Sequence, residues 1–459
     1  MIWIVLRILR GVGCLKVETV VAVTQNRLRR NPTDAHSDLF EERTYRKVTW
    51  RLIPLLLLCY MIAYLDRVNV GFAKLQMMGD LGMSDLVYGL GAGIFFIGYF
   101  LFEVPSNIIL HRVGARLWIG RIMITWGLVS AGMIFVTTDT QFYATRFLLG
   151  VAEAGFFPGI ILYLTYWYPS HRRGRVTSLF MTGIPLSGLL GGPVSGWILK
   201  DWDNVHGWHG WQWMFLFEAV PAIVMGCVVI LFMSDRISHA RWLSEAERTM
   251  LTENIGHDES KKEHLSVRQL IKSYRVWIMG VAYFSMTMGL YGISFWLPTI
   301  IQGMGVADSF EIGMLSSIPW LAAVVAMLLC ARSADLANEK RWHVAVPMLL
   351  GAAGLVCSVF WMDSTAAALL ALTVACMGIM SAIPLFWSLP TAFLLGSGAA
   401  MGIAAINSVA NLAGFVSPYL VGWLKQTTQS TDSGMYMLAA VLVAGALVTL
   451  SIPARLVNK

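Results

Sequence analysis

Long apolar segments alternate with short polar ones along the chain. Twelve of them are long enough for a helix to cross a bilayer, which takes about 20 apolar residues. We number them spans 1 to 12, and they cover residues 50–73, 86–110, 117–137, 141–168, 176–199, 211–233, 275–301, 311–331, 343–361, 365–389, 399–424 and 434–454. Because lipid offers the backbone no hydrogen-bond partner, each span is predicted to be a helix. The pattern predicts an all-α membrane protein with twelve transmembrane helices.

One long polar segment follows span 6 and separates two sets of six spans. The predicted regions are a cytosolic N-terminal extension over 1–47, a six-helix bundle over 48–233, a cytosolic linker over 234–274 and a second six-helix bundle over 275–459. The extension is expected to be disordered, because Arg7, Arg10 and Lys16 interrupt its apolar stretch. In the linker, Ser244 and Glu247 have the spacing of a capping box, which predicts a short helix.

The two halves of the chain resemble each other. The segment 193–200 recurs as 418–425, an offset of 225 residues, and 111–116 precedes 335–340 by 224 residues. Two landmarks with nearly the same offset indicate a duplicated six-span unit. Repeats of this kind place a substrate site at their interface, near the middle of the bilayer.

Composition and charge exclude several classes of protein. Hydrophobic residues make up 57% of the chain and charged residues 13%, against about 25% in soluble domains. This excludes a soluble enzyme, a disordered protein and a nucleic-acid binder. The six scattered cysteines form no Cys-x-x-Cys pair, so we expect no disulfide framework, metal or cofactor.

The basic residues predict the orientation in the membrane. If both termini are cytosolic, 29 of the 34 Lys and Arg residues lie in cytosolic segments and only Lys74, Lys200 and Lys425 lie outside. The basic residues that give the net charge of +7 then lie at the cytosolic surface, where they face anionic lipid.

Ionisable residues away from the ends of the spans are few and belong to the first half. They are Asp66 and Arg67 in span 1, Glu103 in span 2, Arg146 and Glu153 in span 4, and Glu218 in span 6. Such groups are costly in lipid and face a cavity or one another. All nine histidines lie in loops, in tails or, for His343, at the very end of a span, so a buried proton site must be a carboxylate.

Span 4 carries the most specific arrangement. Arg146 and Glu153 lie on one helix face, two turns apart, with Gly150 between them. This predicts a cavity with cationic head groups above a carboxylate, and a set of structural ion pairs is the alternative. We expect Glu103 near the cytosolic mouth, as a gate, and a structural role for Glu218.

The second half offers neutral groups instead. Tyr291, Trp387, Asn407 and Asn411 fall within spans 7, 10 and 11, and the two asparagines are one turn apart on one face. Aromatic residues of this kind also occur in packed cores. Buried asparagines require a cavity or a partner helix, which favours a polar site.

Several motifs resemble the major facilitator superfamily. They are Tyr64-Leu-Asp-Arg-Val-Asn69, Arg146 with Glu153 seven residues later, and His111-Arg-Val-Gly-Ala-Arg116. From about Tyr45 to Arg455 the chain resembles the anion:cation symporter family. The segments 44–51 and 96–107 are most similar to its bacterial tartrate-type and aromatic-acid permeases.

The resemblance implies roles for individual residues. Asp66 and Glu153 would take protons, and Arg67 and Arg146 would engage the anion. The implied substrate site consists of Arg67, Arg146, Tyr64, Tyr291, Trp387, Asn407 and Asn411. The implied gating elements are Arg112, Gly114 and Arg116 after span 2, Asp335 after span 8, and Glu103. The chain departs from the superfamily motif at His111, where Asp is usual, and at Leu336, where Arg is usual.

These features predict a proton-coupled symporter that imports a small organic carboxylate, such as tartrate or a related hydroxy or aromatic acid, by alternating access. It is expected to be a monomer in the bacterial cytoplasmic membrane and not an enzyme. A proton-antiporting exporter of organic compounds remains an alternative, because span 5 resembles the glycine–proline element of antiporters. A receptor without transport is a further alternative. The chain lacks any Gly-Lys dipeptide and hence a P-loop for ATP.

Overall fold

The computed structural model describes residues 32–260, 273–337, 339–391 and 396–454, and these are almost entirely helical. The α-helices are α1 Pro32–Val68, α2 Val70–Leu81, α3 Asp85–Val113, α4 Ala115–Ala131, α5 Asp139–Glu153, α6 Phe156–Thr165, α7 Ser170–Met181, α8 Gly183–Asp201, α9 Gly210–Phe232, α10 Glu245–Ser260, α11 Tyr274–Gly303, α12 Ser309–Ala337, α13 Arg341–Phe360, α14 Thr365–Phe386, α15 Ser388–Thr391, α16 Gly396–Thr428 and α17 Asp432–Ser451. Short 3-10 turns cover Gly132–Phe135 and Ile237–His239.

Every predicted span is helical in the structure. Within the described ranges, ten helices are long and apolar enough to cross a membrane. Spans 5 and 11 are also helical, as α7 with α8 and as α16. Spans 1, 4 and 10 each consist of two helices: α1 and α2, α5 and α6, and α14 and α15.

The first helix begins much earlier than predicted. Residues 32–47 were expected in a disordered extension, whereas α1 runs without a break from Pro32 to Val68. Residues 1–31 lie outside the described part of the chain, and so does the prediction for them. The capping box in the linker is confirmed: the Ser244 backbone donates to Glu247 over 2.8 Å, and the Glu247 backbone donates to Ser244 Oγ over 3.3 Å.

Glycines bring the two halves together. In α8 a Cβ on Gly192 would lie 2.5 Å from the backbone oxygen of Gly313 in α12, so only hydrogen atoms fit between these helices. Spans 2 and 11 pack in the same manner, with Gly89 of α3 against Pro418 and Gly422 of α16. Small residues permit such approaches in membrane helices.

Gly150 has a different role from the one predicted. A Cβ there would lie 1.9 Å from the backbone oxygen of Phe95, because α3 packs directly against this position of α5. The glycine therefore contacts another helix and does not open a cavity between Arg146 and Glu153. The spacing on one helix cannot show which neighbour fills the gap.

We predict that Gly150→Ala destabilises the protein. The added methyl group meets backbone atoms, and overpacking of this kind costs about 1–3 kcal/mol. The measurement is the thermal unfolding of purified protein in detergent. Gly79→Ala in α2 is the matched control, since a Cβ there meets nothing within 4 Å. Equal unfolding temperatures for the two variants would contradict the packing described here.

Candidate functional site

Helix breaks lie next to the buried ionisable residues. Span 1 is interrupted at Asn69, two residues after Arg67, and α5 ends at Glu153 itself. Gly155 follows with φ of +86°, a left-handed conformation that glycine adopts without strain. Discontinuous membrane helices characterise binding sites of transporters.

Arg67 and Glu153 form a buried ion pair. The Arg67 side chain is 8% exposed and Glu153 1%, and Arg67 Nη2 donates to Glu153 Oε1. The pair joins span 1 to span 4 inside the first bundle. Aromatic rings surround the Arg67 guanidinium group. Its Cζ lies 5.4 Å from the ring centroid of Phe95 and 5.4 Å from that of Tyr99.

The same arginine reaches the second bundle. Arg67 Nη1 donates to Tyr291 Oη over 3.2 Å, and Tyr64 Oη lies 2.9 Å from Ser294 Oγ. Tyr291 and Ser294 belong to α11 of span 7. The structure thus brings together four predicted site residues, Tyr64, Arg67, Glu153 and Tyr291. Ser294 was not predicted, since a serine in a membrane helix commonly bonds to its own backbone, as Ser294 also does to Leu290.

Arg146 is enclosed by spans 1 and 2 and does not face an open site. It is fully buried, and its Nε donates to the Gly91 backbone oxygen over 3.3 Å. Its Nη2 lies 3.5 Å from the backbone oxygens of Arg67 and Ala92. Glu153 is paired with Arg67 instead, because Gly150 admits α3 where a cavity was predicted.

Asp66 and Glu218 face the interior of the first bundle. Asp66 Oδ2 accepts a hydrogen bond of 2.8 Å from Trp126 Nε1 in α4. Glu218 Oε1 accepts one of 2.6 Å from Ser195 Oγ in α8. Asp66 and Arg67 are adjacent in sequence, so their side chains leave the helix about 100° apart and reach different neighbours.

The remaining predicted residues of the second half contact side chains other than this pair. Trp387 lies between α14 and α15 and packs against the rings of Tyr283 and Phe386, at 4.8 and 5.5 Å. Asn411 donates over 3.3 Å to Glu103 Oε2 of span 2, a contact between the bundles. Asn407 is half-buried, one turn from Asn411 on α16.

The loop motif after span 2 is held by a residue that the sequence analysis missed. The Arg116 backbone donates to Asp235 Oδ1 over 2.8 Å, and Arg116 Nε lies 3.8 Å from Asp235 Oδ2. Gly114 has φ of +100°, which lets the chain turn against that carboxylate. Asp235 lies just after span 6, on the same side of the membrane as the basic loop after span 2. This position of an acidic residue is the only sequence feature that could have predicted the contact. Arg112 and Asp335 are exposed.

A model of the Major Facilitator Superfamily matches residues 56–418, which is most of the chain. The chain belongs to the major facilitator superfamily. It is therefore a transporter and not an enzyme. It is similar in fold to the E. coli xylose transporter XylE in a partially occluded inward open conformation, with a TM-score of 0.71 at 13% identity, covering 88% of this chain and 98% of that one.

Bacterial facilitators are closely similar in sequence. The chain is 50% identical to a protein of Agrobacterium vitis named "Putative tartrate transporter", over 90% of this chain and 95% of that one. It is 47% identical to the "Putative metabolite transport protein NicT" of Pseudomonas putida, over 94% and 99%. It is 41% identical to the "Quinolone resistance transporter" of Acinetobacter baumannii, over 91% and 96%.

This facilitator is closed at the ends of its spans that are predicted to face outside. Asp85 Oδ1 lies 2.7 Å from Lys74 Nζ and 3.1 Å from Lys425 Nζ of the second bundle. Lys74 Nζ also lies 3.7 Å from the centroid of the Trp296 ring. We call Lys74, Asp85, Lys425 and Trp296 the outer cluster. It was missed because these residues stand at span ends, where charges are ordinary.

A second ion pair crosses the same side of the facilitator. Lys200 Nζ, at the end of α8, lies 2.5 Å from Asp308 Oδ2, just before α12. The hydrogen bond from Lys200 holds the pKa of the exposed Asp308 carboxyl below its usual value. Both bridges join spans of opposite bundles, so opening this side of the facilitator requires them to separate.

We predict that Asp85→Asn shifts the facilitator toward an outward-open form. The Asp85–Lys425 pair that joins the bundles is partly exposed, at 20% and 23% of its side chains, and such a pair contributes about 1 kcal/mol, which corresponds to about a fivefold change in an equilibrium constant. The reporter is Ser316→Cys, a buried position in α12 two turns below the end of the helix. A membrane-impermeant thiol reagent, added outside, should label it faster in the Asp85→Asn background.

Asp139→Asn is the control for that experiment. Asp139 is an exposed carboxylate at the start of α5, on the same side of the facilitator but outside the outer cluster. Its substitution should leave the labelling rate unchanged. Equal rates in both backgrounds would mean that the outer cluster does not hold this side closed.

Proposed function

We propose that the facilitator is a proton-coupled symporter that imports a small organic carboxylate by alternating access. The observation that carries this proposal is the position of Arg67. One buried guanidinium group pairs with Glu153 of its own bundle and donates to Tyr291 of the other. An anion bound there contacts both bundles and competes with a protonatable group.

The competition couples the anion to a proton. A guanidinium group binds a carboxylate through two parallel hydrogen bonds, so a substrate carboxylate on Arg67 displaces that of Glu153. A buried carboxylate that loses its cation takes up a proton, because nearby negative charge and desolvation disfavour its ionised form. By linkage, protonation of Glu153 strengthens anion binding by the same factor.

The surroundings of Arg67 favour a small hydroxylated or aromatic acid. Tyr64, Tyr291 and Ser294 offer hydroxyl groups to a hydroxy acid, while Phe95 and Tyr99 offer faces to an aromatic one. We assign Asp66 to the second proton site and extend the substrate site to Trp387, Asn407 and Asn411. The relatives named for tartrate, at 50% identity, support the hydroxy acid.

Further proposals concern the setting of the facilitator. We propose that it is a monomer in the bacterial cytoplasmic membrane, with both termini and the 234–274 linker cytosolic. The basic residues support this orientation. The charges of the linker helix α10 also agree, since Glu247 pairs with Lys47 over 2.7 Å and thereby ties the linker to α1 on the basic side.

A proton-antiporting exporter is the second candidate. The relative at 41% identity that is named for quinolone resistance favours it. The two candidates differ in the direction of flux. Inward proton gradients drive accumulation of substrate by a symporter in proteoliposomes and drive its depletion by an antiporter oriented in the same way.

We predict that Arg67→Lys abolishes most uptake although the charge is kept. An ammonium group cannot form the parallel hydrogen bonds, and losing a bond to a charged group costs about 1.5–3 kcal/mol. Substrate affinity should fall about tenfold or more. The measurements are uptake of radiolabelled tartrate in proteoliposomes and the thermal shift that tartrate produces. Related hydroxy and aromatic acids are screened in parallel.

Arg146→Lys is the matched comparison. Arg146 donates to backbone oxygens, so its replacement should lower thermal stability while substrate affinity stays near that of the unmodified protein. If Arg146→Lys loses affinity and Arg67→Lys retains it, the substrate binds at Arg146 and the proposed site is wrong.

We predict that Glu153→Gln uncouples transport from the proton gradient. Glutamine resembles the protonated carboxyl group, so the variant should bind substrate and exchange it in counterflow. It should not accumulate substrate against a gradient, whereas the unmodified protein should do so faster at acidic than at alkaline outside pH. Accumulation at the unmodified rate would remove Glu153 from the coupling mechanism, and an effect of sodium without one of pH would indicate sodium coupling.

A further inference from the structure

A second group of buried acids lies within the first bundle, away from the Arg67–Glu153 pair. Asp66 of span 1 is 1% exposed and Glu218 of span 6 is 2% exposed. The helices that hold them meet here: Trp126 donates to Asp66, and a Cβ on the next residue, Gly127, would lie 3.1 Å from the backbone oxygen of Ala219, which follows Glu218. Each accepts one hydrogen bond, from Trp126 and Ser195 respectively. The other oxygen of each, Asp66 Oδ1 and Glu218 Oε2, has no hydrogen-bond partner among the described residues.

A neutral amide lies at the same place with its hydrogen bonds unmade. Asn69, at the break in span 1, is fully buried and interacts with Glu218. Within the described part of the chain, neither its Oδ1 nor its Nδ2 makes a hydrogen bond that meets normal geometry. Orphaned polar atoms in a membrane interior are costly, so this cluster lacks a binding partner for its oxygens.

The charges of the bundle interior do not balance. Apart from Lys74 in the outer cluster, the fully buried charged residues that the structure describes comprise three carboxylates and two guanidinium groups. The carboxylates are Asp66, Glu153 and Glu218, and the guanidinium groups are Arg67 and Arg146. Full ionisation leaves one uncompensated negative charge in lipid, where an unpaired charge is strongly disfavoured.

The uncompensated negative charge is located at Asp66 and Glu218. Arg67 is committed to Glu153, and Arg146 donates to backbone oxygens of spans 1 and 2. The charged groups that face the pair from the packed helices are Glu153 and Arg146 of span 4. Spans 3 and 5 contribute neutral groups, which are Trp126 and Ser130 beside Asp66 and Ser195 beside Glu218. Two neighbouring carboxyl groups without a committed cation cannot both be ionised.

We propose that Asp66 and Glu218 form a proton-binding site that holds one resident proton, shared between the two carboxyl groups. Glu218 thereby joins the proton-handling residues. The proton on one carboxyl group gives that group a hydrogen bond to donate, and the unpaired Asn69 amide, with one acceptor and one donor, can pass the hydrogen bond on to the other acid. This deepens the assignment of Asp66 in the proposed function, but the occupancy of the site does not depend on any transported substrate.

The test is infrared difference spectroscopy on the purified full chain at neutral pH. A protonated carboxyl group has a C=O stretch distinct from that of a carboxylate, and the band shifts in D₂O. The difference between the unmodified protein and Glu218→Gln should show the loss of one such band, and Asp66→Asn should lose the same band. Removing either carboxyl group balances the remaining charges, so the other becomes a carboxylate.

Two further variants make the result decisive. Asp139→Asn, an exposed carboxylate of the same bundle, should leave the band unchanged. Ser195→Ala removes the hydrogen bond to Glu218 and should shift the band without abolishing it. This variant keeps both carboxyl groups, so it still tests the proposal if a variant that lacks one of them does not fold. The proposal is overturned if the band survives in Glu218→Gln or in Asp66→Asn, or if Ser195→Ala leaves it unmoved.

The failure of this proposal is distinguishable from a failure of the proposed function. If Glu153→Gln removes the band and the Asp66 and Glu218 variants do not, the resident proton belongs to the Arg67 pair and the shared site is wrong. Uptake measurements then still decide whether the facilitator is a proton-coupled symporter, because they use a different readout.

Discussion

A guanidinium group buried among membrane helices is the constraint on which the rest of the site depends. Arg67 cannot lose its proton, and breaking a buried ion pair by removing one partner costs about 3–5 kcal/mol. Glu153 must therefore lie against it, and both helices that carry them are interrupted nearby. The breaks free span 1 and span 4 from ideal helical spacing, so that residues of two helices meet at one point between the bundles.

The membrane makes much of this fold readable from sequence. Since lipid forces every span to satisfy its own backbone, the hydropathy pattern alone located the helices, with their ends within about eight residues except for the early start of α1. The cost of burial likewise singled out Asp66, Arg67 and Glu153. Which partner each would take was not readable. Arg146 and Glu153 share a face of span 4, yet α3 occupies the space at Gly150 and Glu153 pairs with Arg67 instead.

Most of the residues that sequence reasoning missed act across the interface between bundles. Asp85, Lys425 and Asp308 stand at ends of spans, where charged residues are usual and carry no signal of their own. Asp235 acts within the first bundle, and it became meaningful only when α4 brought Arg116 against it. All these contacts depend on how separate helices are placed relative to one another, which periodicity along one helix does not encode.

Strong contacts lie within the first bundle and weaker ones lie between the bundles. This difference explains how the bundles can move relative to each other although charged residues are buried. The costly interactions, Arg67 with Glu153 and Arg146 with backbone oxygens, all lie within the first bundle. Between the bundles, the centre is joined by the bond of Tyr64 with Ser294, at about 1 kcal/mol, and by the bond from the charged Arg67 to Tyr291, at about 1.5–3 kcal/mol. The outer side is joined by ion pairs that water weakens. A rocking motion therefore exchanges weak contacts while the charges keep their partners. In the proposed function, a substrate carboxylate at Arg67 is the event that exchanges a strong contact, and the motion would be coupled to this exchange.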